Sequence, residues 1–323
     1  MTLTLGNISP ADDYTHPLGP EPNFNESMYF NFFDRDRGVG GFVRLGNRAN
    51  EGRAEMTVTV YLPDGRVLFN FARPAIANND SFEAGGMCFT VVEPGRHLRT
   101  TYSGQVVELA DPTQMAEPRR AFTDNPSRPL SLELDHVAVG PMYGSSGDKS
   151  EDKLPDEKQF AKAHYEQHMR VSGRLILGDE TVEINGHGLR DHSWGPRYWQ
   201  AIEGYEWLTM NFGDDLGAMV SIIRRGPDDI RLGGVVVEGD KIDRVTGVEI
   251  DADYEANGLY HRALRVHIAT ASGREFDING EVKGFIPLRN RRGGMTTHIG
   301  EGMTEWTMNG RTGYGLSEFL RQV

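Results

Sequence analysis

Short runs with a two-residue period restrict this chain more than any other feature. Glu55-Met56-Thr57-Val58-Thr59-Val60-Tyr61, Arg170-Val171-Ser172-Gly173-Arg174-Leu175-Ile176-Leu177 and Ala263-Leu264-Arg265-Val266-His267-Ile268 are of strand length and rich in β-branched residues. Turn formers separate such runs: Pro63-Asp64-Gly65 follows one, and Gly178-Asp179 follows another. Connections this short join antiparallel neighbours, because a parallel crossover needs a dozen or more residues. The 39 glycines and 16 prolines are spread along all 323 residues, which suits many tight turns and few, short helices. The reading is an all-β chain with mainly antiparallel sheets.

The order of segments repeats. Ser27-Met28-Tyr29-Phe30-Asn31-Phe32-Phe33 leads through an acidic turn into Gly40-Gly41-Phe42-Val43-Arg44, and Tyr205-Glu206-Trp207-Leu208-Thr209-Met210-Asn211-Phe212 leads through Gly213-Asp214-Asp215 into Gly217-Ala218-Met219-Val220-Ser221. A second echo joins His97–Gly104 to Arg265–Gly273. A duplicated unit of about 150 residues is a whole domain rather than a solenoid repeat, and its strands must close or fold over to hide their edges. Between the halves, Gly144 to Lys158 is small, charged and almost without apolar side chains, so it cannot cover a core. The expectation is an N-terminal barrel or sandwich over 1–145, a charged linker or mobile loop over 146–162, and a C-terminal barrel or sandwich over 163–323.

Net charge narrows the partners. With 47 acidic and 34 basic side chains the chain carries −13, a field that repels nucleic acid and anionic lipid. No run approaches the roughly 20 apolar residues that span a bilayer, and Met1–Asn7 lacks a basic, then apolar, leader, so no integral membrane association and a cytoplasmic location are expected. Oligomeric state is not fixed by these features. Cys88, the only cysteine, cannot form an internal disulfide and reads as a buried structural thiol.

Chemistry concentrates after the strand Thr181–Asn185, in Arg190-Asp191-His192-Ser193-Trp194-Gly195-Pro196-Arg197-Tyr198-Trp199. A carboxylate or imidazole in an aromatic pocket has its pKa moved towards neutrality and can pass a proton. The same residues can also form a buried Arg-Asp-His network that locks a barrel corner. A regular strand puts Arg190, His192 and Trp194 on one face and Asp191 on the other, but the nearby glycines can break that parity, so spacing leaves open which of Asp191 and His192 faces a cavity. Glu206 alternates with Leu208, Met210 and Phe212 and is a second acid or base if that face is inward, or a solvated glutamate if it is outward. Tyr29 and Asn31 occupy the corresponding strand of the first half and are candidates to line a cavity. His164 and His168, four apart, suit a metal only on a helix, whereas the sequence around them reads as strand entry with no third ligand; no metal and no cofactor are expected.

The motif Gly188-Leu189-Arg190-Asp191-His192-Ser193-Trp194-Gly195-Pro196-Arg197, the closing run Gly300-Glu301-Gly302 through Tyr314–Phe319 and the two-half layout resemble the lipocalin-like AttH and carotenoid hydratase (hydroxyneurosporene synthase) superfamily. The resemblance implies tandem calycin-type, lipocalin-like β-barrels with a ligand cavity, and cofactor-free hydration of isoprenoid double bonds or pericyclic cyclisation in relatives. It also implies Asp191 as the acid. The leading functional reading is a cofactor-independent lyase or isomerase acting on a hydrophobic terpenoid, steroid or polycyclic substrate. Asp191 would transfer the proton, His192 orient or exchange it, Glu206 serve as a second acid or base, and Trp194, Arg197, Tyr198, Trp199, Tyr29 and Asn31 contact substrate. The alternatives are a non-catalytic lipocalin-type binder of hydrophobic small molecules and a glycoside hydrolase with Asp191 and Glu206 as its carboxylate pair.

Overall fold

The computed structural model describes residues 4–147, 162–292 and 294–323. Its strands fall into two sets. The first comprises β1 (Thr4–Gly6), β2 (Phe24–Asp34), β3 (Val39–Arg48), β4 (Arg53–Tyr61), β5 (Val67–Ala72), β6 (Glu83–Ala84), β7 (Met87–Glu93), β8 (His97–Leu109), β9 (Ser127–Ala138), β10 (Met142–Ser145), β11 (Ala163–Leu177) and β12 (Glu180–Pro196). The second comprises β13 (Gly204–Asn211), β14 (Gly217–Gly226), β15 (Asp229–Glu238), β16 (Lys241–Tyr254), β17 (His261–Thr270), β18 (Glu275–Arg292), β19 (Met295–Met308) and β20 (Arg311–Gln322), which close in sequence order into an antiparallel barrel. Among the described residues the only α-helix is α1 (Pro118–Asp124), preceded by a 3-10 turn at Pro112–Ala116.

The first set also returns on itself. Antiparallel pairing runs through β2, β3, β4, β5, β8, β9, β11 and β12 and back to β2, with β6 and β7 added at one side and β1 and β10 at another. The expected all-β fold of two calycin-like antiparallel domains is therefore what the chain adopts. The expected division at 163 does not coincide with the sheets. The strands β11 and β12, placed with the C-terminal half from sequence, pair with β9 and β2 and complete the first barrel, and so does the Arg190–Gly195 motif that β12 carries. The charged stretch misled because low hydrophobicity marks a connection without saying what it connects. Here its flanks are antiparallel neighbours, Tyr143 opposite Glu166 and Ser145 opposite His164, so it joins two strands of one sheet; its residues 148–161 lie outside the described residues.

Alternation along each strand divides the side chains between two environments. In the first barrel Met28, Phe30 and Phe32 of β2 point inward with Val43, Leu45, Met56, Val58 and Leu175, forming an aliphatic and aromatic core. Burying each such side chain contributes roughly 1.5–3 kcal/mol. Leu208, Met210 and Phe212 do the same in the second barrel, with Val220, Ile268 and Trp306. A third cluster joins the barrels: Tyr29, Phe33, Phe42, Tyr61 and Phe69 from the first meet Ile286, Met303 and Leu316 from the second. Gly284 permits this approach, since a Cβ there would lie 2.9 Å from the Tyr61 ring, whose hydroxyl donates to the Glu301 carbonyl at 3.0 Å. Cys88 is half-buried rather than a core thiol, with its Sγ 3.7 Å from the Thr90 hydroxyl.

The first barrel also buries a polar network. Arg190, fully buried, donates to Asp13 at 2.6 Å, to the Tyr165 hydroxyl at 2.8 Å and twice to Gln167 Oε1 at 2.9 and 2.7 Å. Asp13 is equally buried and also accepts from Gly95 N at 2.5 Å. Removing one partner of such a pair strands the other charge without water. Asp13→Asn should therefore lower unfolding free energy by about 3–5 kcal/mol, read from the midpoint shift in urea at unchanged slope. A loss under about 1 kcal/mol, the range of an exposed pair, would show that Arg190 does not depend on Asp13.

Candidate active site

Between the barrels lies a cavity of about 410 Å³. Its apolar wall includes Tyr29, Phe42, Phe69, Phe122, Trp207, Met219, Ile223 and Leu288. Its polar side chains include Arg44, His164, Glu166, Asp191, Arg197, Glu301 and Glu318. The outward faces of both barrels thus build it, while their interiors are filled by core side chains.

Strand β12 stays regular through the motif, which settles the parity left open by the glycines. Asp191 lies opposite Glu166 on β11 and Tyr29 on β2, and it faces the cavity. His192 turns into the first barrel, fully buried, with Nε2 3.0 Å from Glu26 and Nδ1 3.2 Å from the Tyr165 hydroxyl. Trp194 shares that direction and stacks on His16 at 3.8 Å between ring centroids. Of the other expected positions, Tyr29, Arg197 and Trp199 line the cavity, and the Arg197 guanidinium lies 4.9 Å from the Trp199 ring centroid. Tyr198 precedes the 3-10 turn Trp199–Ala201 and is not part of the wall. Asn31 braces the barrels, donating to the Thr209 hydroxyl at 3.3 Å and accepting from Leu189 N at 2.7 Å. Glu206 is buried on the inward face, where Arg224 and Arg321 both donate to it. That clasp removes it from the cavity and from any carboxylate pair with Asp191.

The partner Asp191 does have is His164. The two share a hydrogen bond, and His164 Nε2 also lies 3.6 Å from Glu166, whose Oε1 accepts from Trp207 Nε1 at 2.8 Å. Burial opposes charge on His164, but the Asp191 carboxylate overcomes it and lifts the imidazole to about 9. Burial likewise pushes Asp191 upward, and the His164 charge with its hydrogen bond prevails and holds it below the ordinary carboxylate range. Glu166 is raised to about 7, by burial first and with the neighbouring Asp191 charge adding to it. Across the cavity the second barrel presents Glu301 and Glu318, cross-strand neighbours on β19 and β20. Burial raises Glu301 to about 8; it raises Glu318 to about 8 as well, with Arg197 opposing and Asp191 assisting.

Sequence reasoning missed His164, Glu166, Glu301 and Glu318 as members of one site. The alternation of His164 with Glu166 was visible, but β11 read only as strand entry, and nothing local ties it to β19 and β20. His164, Glu166 and Asp191 bring one ligand atom each within 4.8 Å of one another, as do His16, Glu26 and His192. Either spacing would admit a divalent cation. In both clusters the groups already bond to one another. The pair at the cavity also ties stability to pH. A histidine lifted from 6.5 to about 9 contributes in full below about pH 6.5 and loses its contribution as pH rises through about 9. An NMR titration should find the His164 ring changing charge near pH 9, and at or below the ordinary histidine range in Asp191→Asn, where burial is no longer opposed by that carboxylate; the same midpoint in both proteins would show that Asp191 does not hold the proton on His164.

Solved structures with this arrangement of strands have little sequence in common with the chain. An AttH candidate from Nitrosomonas europaea is 15% identical, with 94% of this chain and 98% of that one covered at a TM-score of 0.62. Kievitone hydratase from Nectria haematococca is 12% identical, covering 99% and 96% at 0.58. CghA with Sch210972 is 12% identical, covering 94% and 88% at 0.56. Among curated proteins no sequence match reaches significance. The fold is thus the one these solved structures share, with the two-half layout that the sequence suggested. A family profile described as a domain of unknown function, DUF7064, matches residues 9–323, so nearly the whole of both barrels is one family unit and the chain belongs to the DUF7064 family.

Proposed function

We propose that the protein is a cofactor-independent lyase or isomerase that adds or removes water, or shifts a double bond, in a hydrophobic terpenoid, steroid or other polycyclic substrate held between the barrels. One observation carries the reading: carboxyl groups on opposite walls of a largely apolar cavity are driven in opposite directions. Asp191 is held ionised by His164, whereas burial keeps Glu301 and Glu318 protonated at neutral pH. Groups separated in this way can serve as base and acid at one pH.

Glu318, whose acidity is coupled to Asp191, is assigned as the acid that protonates a double bond or a leaving hydroxyl. Asp191 is assigned as the base that takes a proton from the attacking water or from carbon, with His164 fixing its orientation. Tyr29 and Trp207, 5.4 Å apart edge to face, would present aromatic surface to a developing cation. Kievitone hydratase, a protein with the same fold, is by its name a water-adding enzyme, which supports this reaction class. The glycosidase alternative loses its second carboxylate in the Arg224 and Arg321 clasp on Glu206.

Asp191→Asn and Glu318→Gln are nearly isosteric and cannot exchange a proton in the same way. Each should retain the fold and reduce turnover of a responsive member of a panel of apolar alcohols and alkenes by roughly 10²–10⁴-fold. Wild-type turnover should fall as pH rises through about 8, where Glu318 ionises. Full activity in both variants would leave the cavity as a binding site without this chemistry.

A further inference from the structure

The register of the first barrel places six side chains in one row across the cavity wall. Glu166 lies opposite Asp191, Asp191 opposite Tyr29, Tyr29 opposite Arg44, Arg44 opposite Thr57, and Thr57 opposite Phe71. Residues opposite one another project from the same face, and adjacent strands lie about 4.8 Å apart, so the backbones bearing Asp191 and Arg44 are separated by about 10 Å with Tyr29 between them. Proton-transfer group, aromatic ring and guanidinium therefore follow one another along a single line.

Arg44 has no carboxylate within 4 Å among the described residues; its nearest polar partner is Asn25 Oδ1 at 3.5 Å. Of the acidic groups around it, Glu55 lies 3.5 Å from Arg73, Asp191 is bonded to His164, and burial keeps Glu318 largely protonated at neutral pH. Burial and the nearby Arg197 charge bring Arg44 down to about 10, which leaves it cationic at neutral pH. Gly46 makes room for the guanidinium, since a Cβ at that position would lie 2.8 Å from Arg44 Nη2 and 3.1 Å from Cζ. A half-buried cation with no carboxylate in contact costs free energy that a bound anion would recover.

We infer that the substrate is an apolar molecule carrying an acidic oxygen, a carboxylate or an enolate, which Arg44 binds over Gly46 while the reacting carbon lies beyond Tyr29 next to Asp191. This rests on the cavity being an apolar ligand site, as proposed above. It adds which end of the ligand is recognised.

The test is fluorescence titration with 1-pyrenebutyric acid and with its methyl ester, which keeps the apolar body and removes the charge. The native protein should bind the acid at least about tenfold more tightly than the ester. Arg44→Gln should abolish that preference and leave ester affinity within about twofold. Gly46→Ala, which retains the charge but displaces the guanidinium, should reduce the preference, and it decides the matter if Arg44→Gln fails to fold. Equal binding of acid and ester, or a preference that survives both substitutions, overturns the role of Arg44 and leaves the cavity reading intact. If neither probe binds the native protein, the apolar ligand site fails and this inference fails with it.

Discussion

The two-residue period of a β-strand organises both the stability and the site of this protein. Because neighbouring side chains on β12 leave on opposite faces, Arg190 and His192 enter the first barrel and Asp191 leaves it. The same division holds on β2, where Phe30 and Phe32 fill a core while Tyr29 and Asn31 meet the other barrel. A slip of one residue would exchange the two sets and place an arginine and a histidine at the seam. The buried contacts of Arg190 with Asp13, Gln167 and Tyr165 reinforce one register.

Desolvation then gives the cavity its chemistry. Carboxyl groups of similar intrinsic acidity diverge because one has a cation in contact and the others have mainly low-polarity surroundings. Neither barrel alone produces this arrangement. The first supplies the His164–Asp191 pair, the second supplies Glu301 and Glu318, and the contacts of Tyr61 and Asn31 across the seam hold the walls together.

Much of the fold was legible because strand period and turn residues are local signals. The repeated layout was legible too: the segments it equates, Ser27–Phe33 and Tyr205–Phe212, belong to β2 and β13, and they touch through Tyr29 with Trp207 and Asn31 with Thr209. The motif drew attention to Asp191 for the same reason, since a dense run of polar and aromatic residues is visible without a partner. What was not legible depends on pairing at long range. His164 faces Asp191 across 27 residues of chain, and Glu318 approaches from the last strand. Glu206 had suitable alternation, yet only the fold reveals the two arginines that clasp it.

Placing the cavity on the outward faces separates two kinds of evolutionary constraint. Each barrel keeps its own filled interior, so the residues that secure folding and those that contact a ligand are largely different residues on the same strands. Changes at wall positions such as Phe69, Ile223 or Leu288 can reshape the space without emptying either interior. Such a scaffold can diversify its ligands by drift at every second position, and its wall sequence can become unrecognisable long before its strands do.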